Sequence, residues 1–305
     1  MKISKNTICI DSLESQLFQD NYLKVEQPVQ VKNFVTKQNF YRRWTPEFLS
    51  ENYGEKLVGV FDDTVSRQGR SYKKPDKHIS FKQFLEGITN GEKKYRLFLF
   101  NIFRIAPELR EDLEFPKLRT IFLTKLPYTF FGHKGSVTRI HQDMDFSNVF
   151  LLQIHGRKKV ILISPEQSEL LYRLPLNVHT EANITKPDYQ KYPALRYVEG
   201  TEYILEPGDL LFIPSGWWHH IEYIDGGYSL SLRSLSKRPL NLLRGILNVT
   251  ILTHLDELLV KIAGNSWFKI KCRIAERRAN NRIKLIDPLF LNSENADFKR
   301  NKVAR

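Results

Sequence analysis

TRIHQD (138–143) and EPGDLLFIPSGWWHH (206–220) are the two stretches on which the fold of this chain turns. In an extended strand, residues two apart point the same way, so His141 and Asp143 can share one interior face. The second stretch supplies a Pro207-Gly208 turn, an apolar strand and another tight turn that delivers His219. Two histidines and one carboxylate on one face suit ferrous iron, leaving three coordination positions open. An HxD pair alone is a weak signal. Answered by a distant turn–strand–turn–His, with strands between, it points to a metal centre of His141, Asp143 and His219. A structural barrel that has lost its metal is the alternative.

Working outward, residues 95–236 read as short apolar runs. They include YRLFLFNI (95–102), LRTIFLT (118–124), SNVFLLQI (147–154), KKVILIS (158–164) and YSLSLRS (228–234), separated by turn residues such as His155-Gly156. Many short strands at close spacing predict a sandwich or barrel. Upstream, PVQVKNFV (28–35) reads as a strand. WTPEFLSENYG (44–54) reads as a helix with Thr45 as its cap, Pro46 in its first turn and Gly54 at its end. SFKQFLEGI (80–88) repeats the pattern from Ser80, and the polar, basic residues 64–79 read as a mobile loop. Beyond Pro239, Leu243, Leu247, Ile251, Leu255, Leu258 and Ile262 recur at spacings of three and four, which predicts an amphipathic helix closed by Gly264. A second, basic helix follows. The expected organisation is an α/β flank over 1–94, a barrel over 95–238 and a helical segment with a basic tail over 239–305.

With 305 residues, 41% hydrophobic and 27% charged, the chain has an ordinary globular balance. Two cysteines, Cys9 and Cys272, lie far apart with no CxxC spacing, which argues against a disulfide scaffold and fits a reducing compartment. The N-terminal residues offer no apolar stretch long enough for a signal peptide. Charged and polar residues interrupt 240–263, so no membrane span is expected. A cytoplasmic protein is the reading. The net charge of +13 is compatible with nucleic acid, anionic surfaces or acidic proteins. Part of it is local to the segment from Lys269 to Lys284.

Together, PVQVKNFV, WTPEFLSENYG, TRIHQD, QIHGRKKVILISPEQ (153–167), KPDYQKYPAL (186–195) and EPGDLLFIPSGWWHHIEYIDGG (206–227) resemble the cupin-like branch of the JmjC oxygenases. That branch includes the factor-inhibiting-HIF asparaginyl hydroxylase and the tRNA wybutosine hydroxylase. The resemblance runs from about residue 8 to 240. It implies a mostly β fold with flanking helices, a double-stranded β-helix (jelly-roll, cupin) core, Fe(II) as the metal and 2-oxoglutarate as the cosubstrate. It also implies that His141, Asp143 and His219 are the metal ligands and that His220 is an ordinary strand residue. Lys158 matches the lysine that holds the distal carboxylate of 2-oxoglutarate, Thr138 a hydroxyl donor to that carboxylate, and Asn148 an asparagine of the cosubstrate pocket.

The chain also departs from the family pattern. Between Asp143 and the Gly156-Arg157-Lys158 turn it is two residues longer, so Asp145 competes with Asp143 for the metal. Phe98 stands where the asparaginyl hydroxylase has a cosubstrate tyrosine. Arg233 replaces an asparagine of the final strand, and reads either as an oxoacid ligand or as a surface salt-bridge residue. His133, His155 and His179 lack ligand spacing and read as non-catalytic. A polypeptide is the favoured substrate, with tRNA or another nucleic acid as the rival and a non-enzymatic ligand-binding barrel as the third reading. The long 172–202 segment is a candidate binding loop. The apolar C-terminal helix predicts either a homodimer through C-terminal helices or a helix packed on its own barrel.

Overall fold

The chain begins by adding short strands to sheets that it completes much later. The computed structural model describes residues 1–11, 13, 15–62, 74–90 and 94–287. β1 (Lys2–Ser4), β2 (Cys9–Ile10) and β3 (Val29–Val31) come first. Around them lie α1 (Ser15–Phe18), α2 (Asn39–Arg43) and α3 (Pro46–Tyr53). α3 starts as its sequence dictates: Thr45 accepts a hydrogen bond from the Phe48 amide, and Pro46 occupies the first turn. A hairpin of β4 (Leu57–Val60) and β5 (Lys77–Ser80) leads into α4 (Phe81–Asn90). Part of the loop expected over 64–79 lies outside the described residues, and its last residues form β5.

Nine strands make the barrel: β6 (Arg96–Phe100), β7 (Tyr128–Gly132), β8 (Val137–His141), β9 (Asn148–His155), β10 (Lys158–Ile163), β11 (Glu199–Leu205), β12 (Leu210–Ile213), β13 (Trp218–Tyr223) and β14 (Gly227–Ser234). One sheet has the order β1-β11-β10-β13-β8, and the facing one β2-β3-β12-β9-β14-β7-β6. The barrel is therefore not sealed off from the N-terminal flank, because β1–β3 extend both sheets. The run LRTIFLT does not become a strand. Among its residues only Phe122 makes a bridge, to Ser234.

Side-chain alternation divides the interior into three layers. On β9, Val149 and Leu151 point between the sheets to meet Val160, Leu162, Leu211 and Ile213. Phe150 and Leu152 point outward and are buried by Phe18, Phe212 and the N-terminal flank. Both faces being covered explains why β9 is buried along nearly its whole length rather than alternating with solvent. Phe150 is fully buried, so truncating it to alanine would cost about 3–5 kcal/mol. The outer face of the other sheet, with Ile161, Ile163 and Trp218, is covered by the 170–198 segment and by Ala275, Ala279 and Ile283 of the last helix. At the β9–β10 hairpin, Gly156 has φ +69°, and a Cβ there would stand 2.2 Å from the Gly226 carbonyl oxygen.

After the barrel come α5 (Pro239–Leu247), a π-turn (Asn248–Leu252) and α6 (Thr253–Ile286). The expected break at Gly264 is present: its φ of 47° and ψ of −125° interrupt the helix. The two halves behave differently. After the break, the residues four apart, Ala275, Ala279 and Ile283, dock on the barrel. Before it, Leu243, Ile246, Leu258 and Ile262 are each more than half exposed. No helix among the described residues is long and apolar enough to cross a membrane.

Candidate metal centre

β8 and β13 are adjacent antiparallel strands, and His141 pairs with His219. Two residues further along β13, Ile221 faces Thr138, so three steps on β8 answer two on β13. This bulge turns both Thr138 and His141 toward the interior although they lie an odd number of steps apart. The imidazole centroids of His141 and His219 stand 4.2 Å apart. Asp143 comes from the turn after β8 rather than from the strand itself, which differs from the period-two expectation. His141, Asp143 and His219 each offer a ligand atom, and these atoms all lie within 4.8 Å of one another. Asp145 is outside this group.

The donor set fits a divalent ion. His141 Nδ1 lies 2.8 Å from the Arg139 carbonyl oxygen and His219 Nδ1 3.1 Å from that of Trp217. When each Nδ1–H donates to its carbonyl, each Nε2 keeps its lone pair for the metal. Burial, reinforced by the neighbouring His219, lowers the His141 pKa well below the ordinary imidazole value, with Asp143 opposing. The ring is therefore neutral, the form that binds metals. Burial alone would raise the Asp143 carboxyl. The charge of Arg233 and its hydrogen bond outweigh burial and hold this group well below the usual carboxylate range.

Arg233 is not at the surface. It is 7% exposed, and its Nη2 donates to Asp143 while its Nη1 donates to both oxygens of Asp145 and to Ser147 Oγ. Arg233 does make salt bridges, to Asp143 and Asp145, but they are buried and not at the surface. The guanidinium spends these donors on the metal-bearing turn, and Asp145 serves as a second acceptor for it. Asn148 makes its own set of contacts. Its Oδ1 accepts from the Ser215 amide and its Nδ2 donates to the Leu235 carbonyl and Ser234 Oγ, so it clamps the turn before β13 to the end of β14.

Lys158 sits on the interior face at the far end of β10, paired with Tyr223, whereas Leu162 pairs with His219. Four residues of strand, roughly 13 Å of rise, separate the two levels. A lysine side chain and a five-carbon dicarboxylate can together span that separation. The Lys158 ammonium crosses to the opposite sheet, 2.6 Å from Ser229 Oγ and 3.3 Å from the Phe130 carbonyl oxygen, over the face of Tyr223. Burial pushes its pKa well below the ordinary lysine value. Thr138 Oγ1 accepts a hydrogen bond from Arg96 Nη1 at 2.8 Å. Arg96, 2% exposed, is a residue that sequence reasoning missed. A charge inside the run YRLFLFNI was the available signal.

Phe98 is packed near Phe61 and Phe130. His133 lies 3.1 Å from the Phe84 carbonyl oxygen and His155 stacks on Tyr228, both apart from the triad. His179 lies closer than expected, bridging to His141 with the two rings 6.0 Å apart. His220 points away from the metal ligands, buried, with neither ring nitrogen hydrogen-bonded.

A jelly-roll barrel that carries two imidazoles and one carboxylate at one mouth defines a cupin-type protein. The chain belongs to the cupin-like domain family, whose model matches residues 15–273. It is 28% identical to lysine-specific demethylase 8 of Xenopus tropicalis over 230 residues, covering 70% of this chain and 49% of that protein. It is 26% identical to JmjC domain-containing protein D of Dictyostelium discoideum over 242 residues, covering 70% and 52%. To tRNA wybutosine-synthesizing protein 5 of Danio rerio it is 30% identical over 218 residues, covering 63% and 64%. The chain spans about half the length of the first two relatives.

Proposed function

We propose that this chain is an Fe(II)- and 2-oxoglutarate-dependent oxygenase that hydroxylates a side chain of a polypeptide. The observation that carries the reading is the convergence of His141, Asp143 and His219 on one point at the mouth of the barrel. With iron and 2-oxoglutarate bound, such a centre couples oxidative decarboxylation of the oxoacid, to succinate and carbon dioxide, with insertion of one oxygen atom into a substrate C–H bond.

The protein's part is to bind, orient and keep dry. His141, Asp143 and His219 would hold the iron. The Arg139 and Trp217 carbonyls fix the imidazole tautomers, and Arg233 keeps Asp143 ionised and aimed. Lys158 is the buried cation for the distal carboxylate of the oxoacid, since a charge in an apolar interior needs an opposite partner. The Thr138 hydroxyl, steadied by Arg96, donates to the same carboxylate. Val160, Leu162, Leu211 and Ile213 wall the interior against water.

The nucleic-acid reading is favoured by the net charge of +13 and by the wybutosine-synthesizing relative. The exposed apolar side of α5 and of the first half of α6 supports a homodimer through the C-terminal helices. Two free thiols, Cys9 and Cys272, accord with a reducing compartment, the cytoplasm. The test is anaerobic addition of Fe(II) and 2-oxoglutarate, with detection of the weak visible charge-transfer band, then measurement of succinate after oxygen is admitted. Stimulation by peptide fractions supports the leading reading. Stimulation by RNA alone supports the rival, and neither band nor succinate leaves a binding protein.

A further inference from the structure

Outside the metal centre, a cleft of about 370 Å³ opens where α5, the π-turn and α6 meet the 165–173 segment. Arg173 from that segment, Arg244 from α5 and Arg278 from α6 all line it. Elements from three parts of the chain thus bring three guanidinium groups to one cleft. Among the described residues none of the three is engaged in a hydrogen bond or ion pair through its side chain. Burial and then the charges of Arg278 and Arg244 lower the Arg173 pKa, against the opposing pull of Glu169. The cations of this cleft therefore repel one another, with Glu169 opposing, and an anion entering it would relieve that repulsion.

The remaining lining narrows the choice of anion. Phe146, Leu247, Leu252 and Ala275 offer an apolar surface, while Glu166 and Glu169 offer acceptors. Guanidinium groups match phosphate oxygens through paired donors. An apolar surface beside them suits a planar base, and the two carboxylates suit hydroxyl or amino groups. The volume falls in the range of small-molecule sites and is too small for a folded partner. We infer that this cleft binds a nucleoside monophosphate unit, with Arg173, Arg244 and Arg278 on the phosphate. The unit is either a free nucleotide or one nucleotide of a single-stranded RNA. Phe146 belongs to the turn that carries Asp143, and Gly245 of α5 packs so closely on that turn that a Cβ would stand 2.1 Å from the Asp145 carbonyl oxygen. The occupant therefore bridges the C-terminal helices and the metal-bearing turn.

The experiment is isothermal titration of the full chain, without added metal, with AMP, adenosine, inorganic phosphate and a short single-stranded oligoribonucleotide. AMP is expected to bind at least tenfold more tightly than adenosine or inorganic phosphate. Arg244→Ala and Arg278→Ala are each expected to weaken it tenfold or more. Arg277→Ala removes an equal charge from α6 outside the cleft and is expected to leave binding unchanged, as is Lys158→Ala in the oxoacid pocket. An oligoribonucleotide that binds more tightly and competes with AMP identifies RNA as the source; AMP binding without such competition identifies the free nucleotide. Absence of AMP binding overturns the inference. So does equal loss in all three arginine variants, or inorganic phosphate binding as tightly as AMP.

Discussion

Arg233, on the last barrel strand, donates through Nη2 to Asp143 Oδ1 at 3.1 Å, so the carboxylate that faces the two imidazoles is aimed from across the barrel. Replacing Arg233 by alanine leaves Asp143 and Asp145 without their shared cation and frees the turn between them. Loss of such an outer partner costs roughly 10–100-fold in metal affinity. Arg233→Lys should recover part of the loss, because one ammonium cannot fork between two carboxylates. Anaerobic Fe(II) titration of the three proteins reads this directly, and equal affinities would remove Arg233 from the site's support.

His219 and His220 are neighbours with opposite roles. His219→Ala should abolish metal binding with the fold intact by circular dichroism, whereas His220→Leu should keep the metal. His220 also carries a pH signature. Burial lowers its pKa from 6.5 to about 4, so the unfolded chain binds a proton first as pH falls. The sign follows: the penalty is absent above pH 6.5, grows as pH drops toward 4, and amounts to about 1.4 kcal/mol per unit of depression. The His220→Leu protein should therefore lose less melting temperature between pH 7 and pH 5 than its parent. Parallel melting curves would contradict that account.

Lys158→Met should raise the dissociation constant for 2-oxoglutarate by about 10- to 150-fold, the range for losing a hydrogen bond to a charged group of roughly 1.5–3 kcal/mol. Metal affinity should hardly change. Burial depresses the Lys158 pKa in the free protein, and a bound carboxylate would raise it again. Binding should therefore take up a proton, and affinity should fall as pH rises above the free-protein pKa. Calorimetry in buffers of different ionisation enthalpy counts that proton. A pH-independent affinity would assign the oxoacid to another cation.

Leu243 and Ile262 are 51% and 73% exposed on the C-terminal helices. If this surface joins two copies, Leu243→Asp with Ile262→Asp should convert a dimer to a monomer in light scattering, with little change in the melting of the barrel. A wild-type chain that runs as a monomer at micromolar concentration ends the dimer proposal.

Much of this was legible in the sequence because strand alternation and turn chemistry are local. The apolar runs gave most of the barrel, Thr45 and Pro46 the start of a helix, and Gly264 a helix break. What escaped depended on packing between distant segments. LRTIFLT has strand composition, yet among the described residues it pairs only through Phe122. The shorter YTFFG segment is a full strand between β14 and β6. The family resemblance brings Asn148 and Arg233 near the site. Their partners, Ser215 and Leu235 in one case and Asp143 and Asp145 in the other, follow from strand order, which no local pattern encodes.

The extra residue in β8 has a consequence for anyone moving this centre to another scaffold. Copied onto a regular hairpin, this stretch of β8 would lose its phase: either the Thr138 hydroxyl or the His141 ring would turn to the outside. The portable unit is the kinked five-residue strand together with its partner β13. By the same reasoning, deleting one of the two residues between Thr138 and His141 should straighten the strand and still leave both side chains on one face.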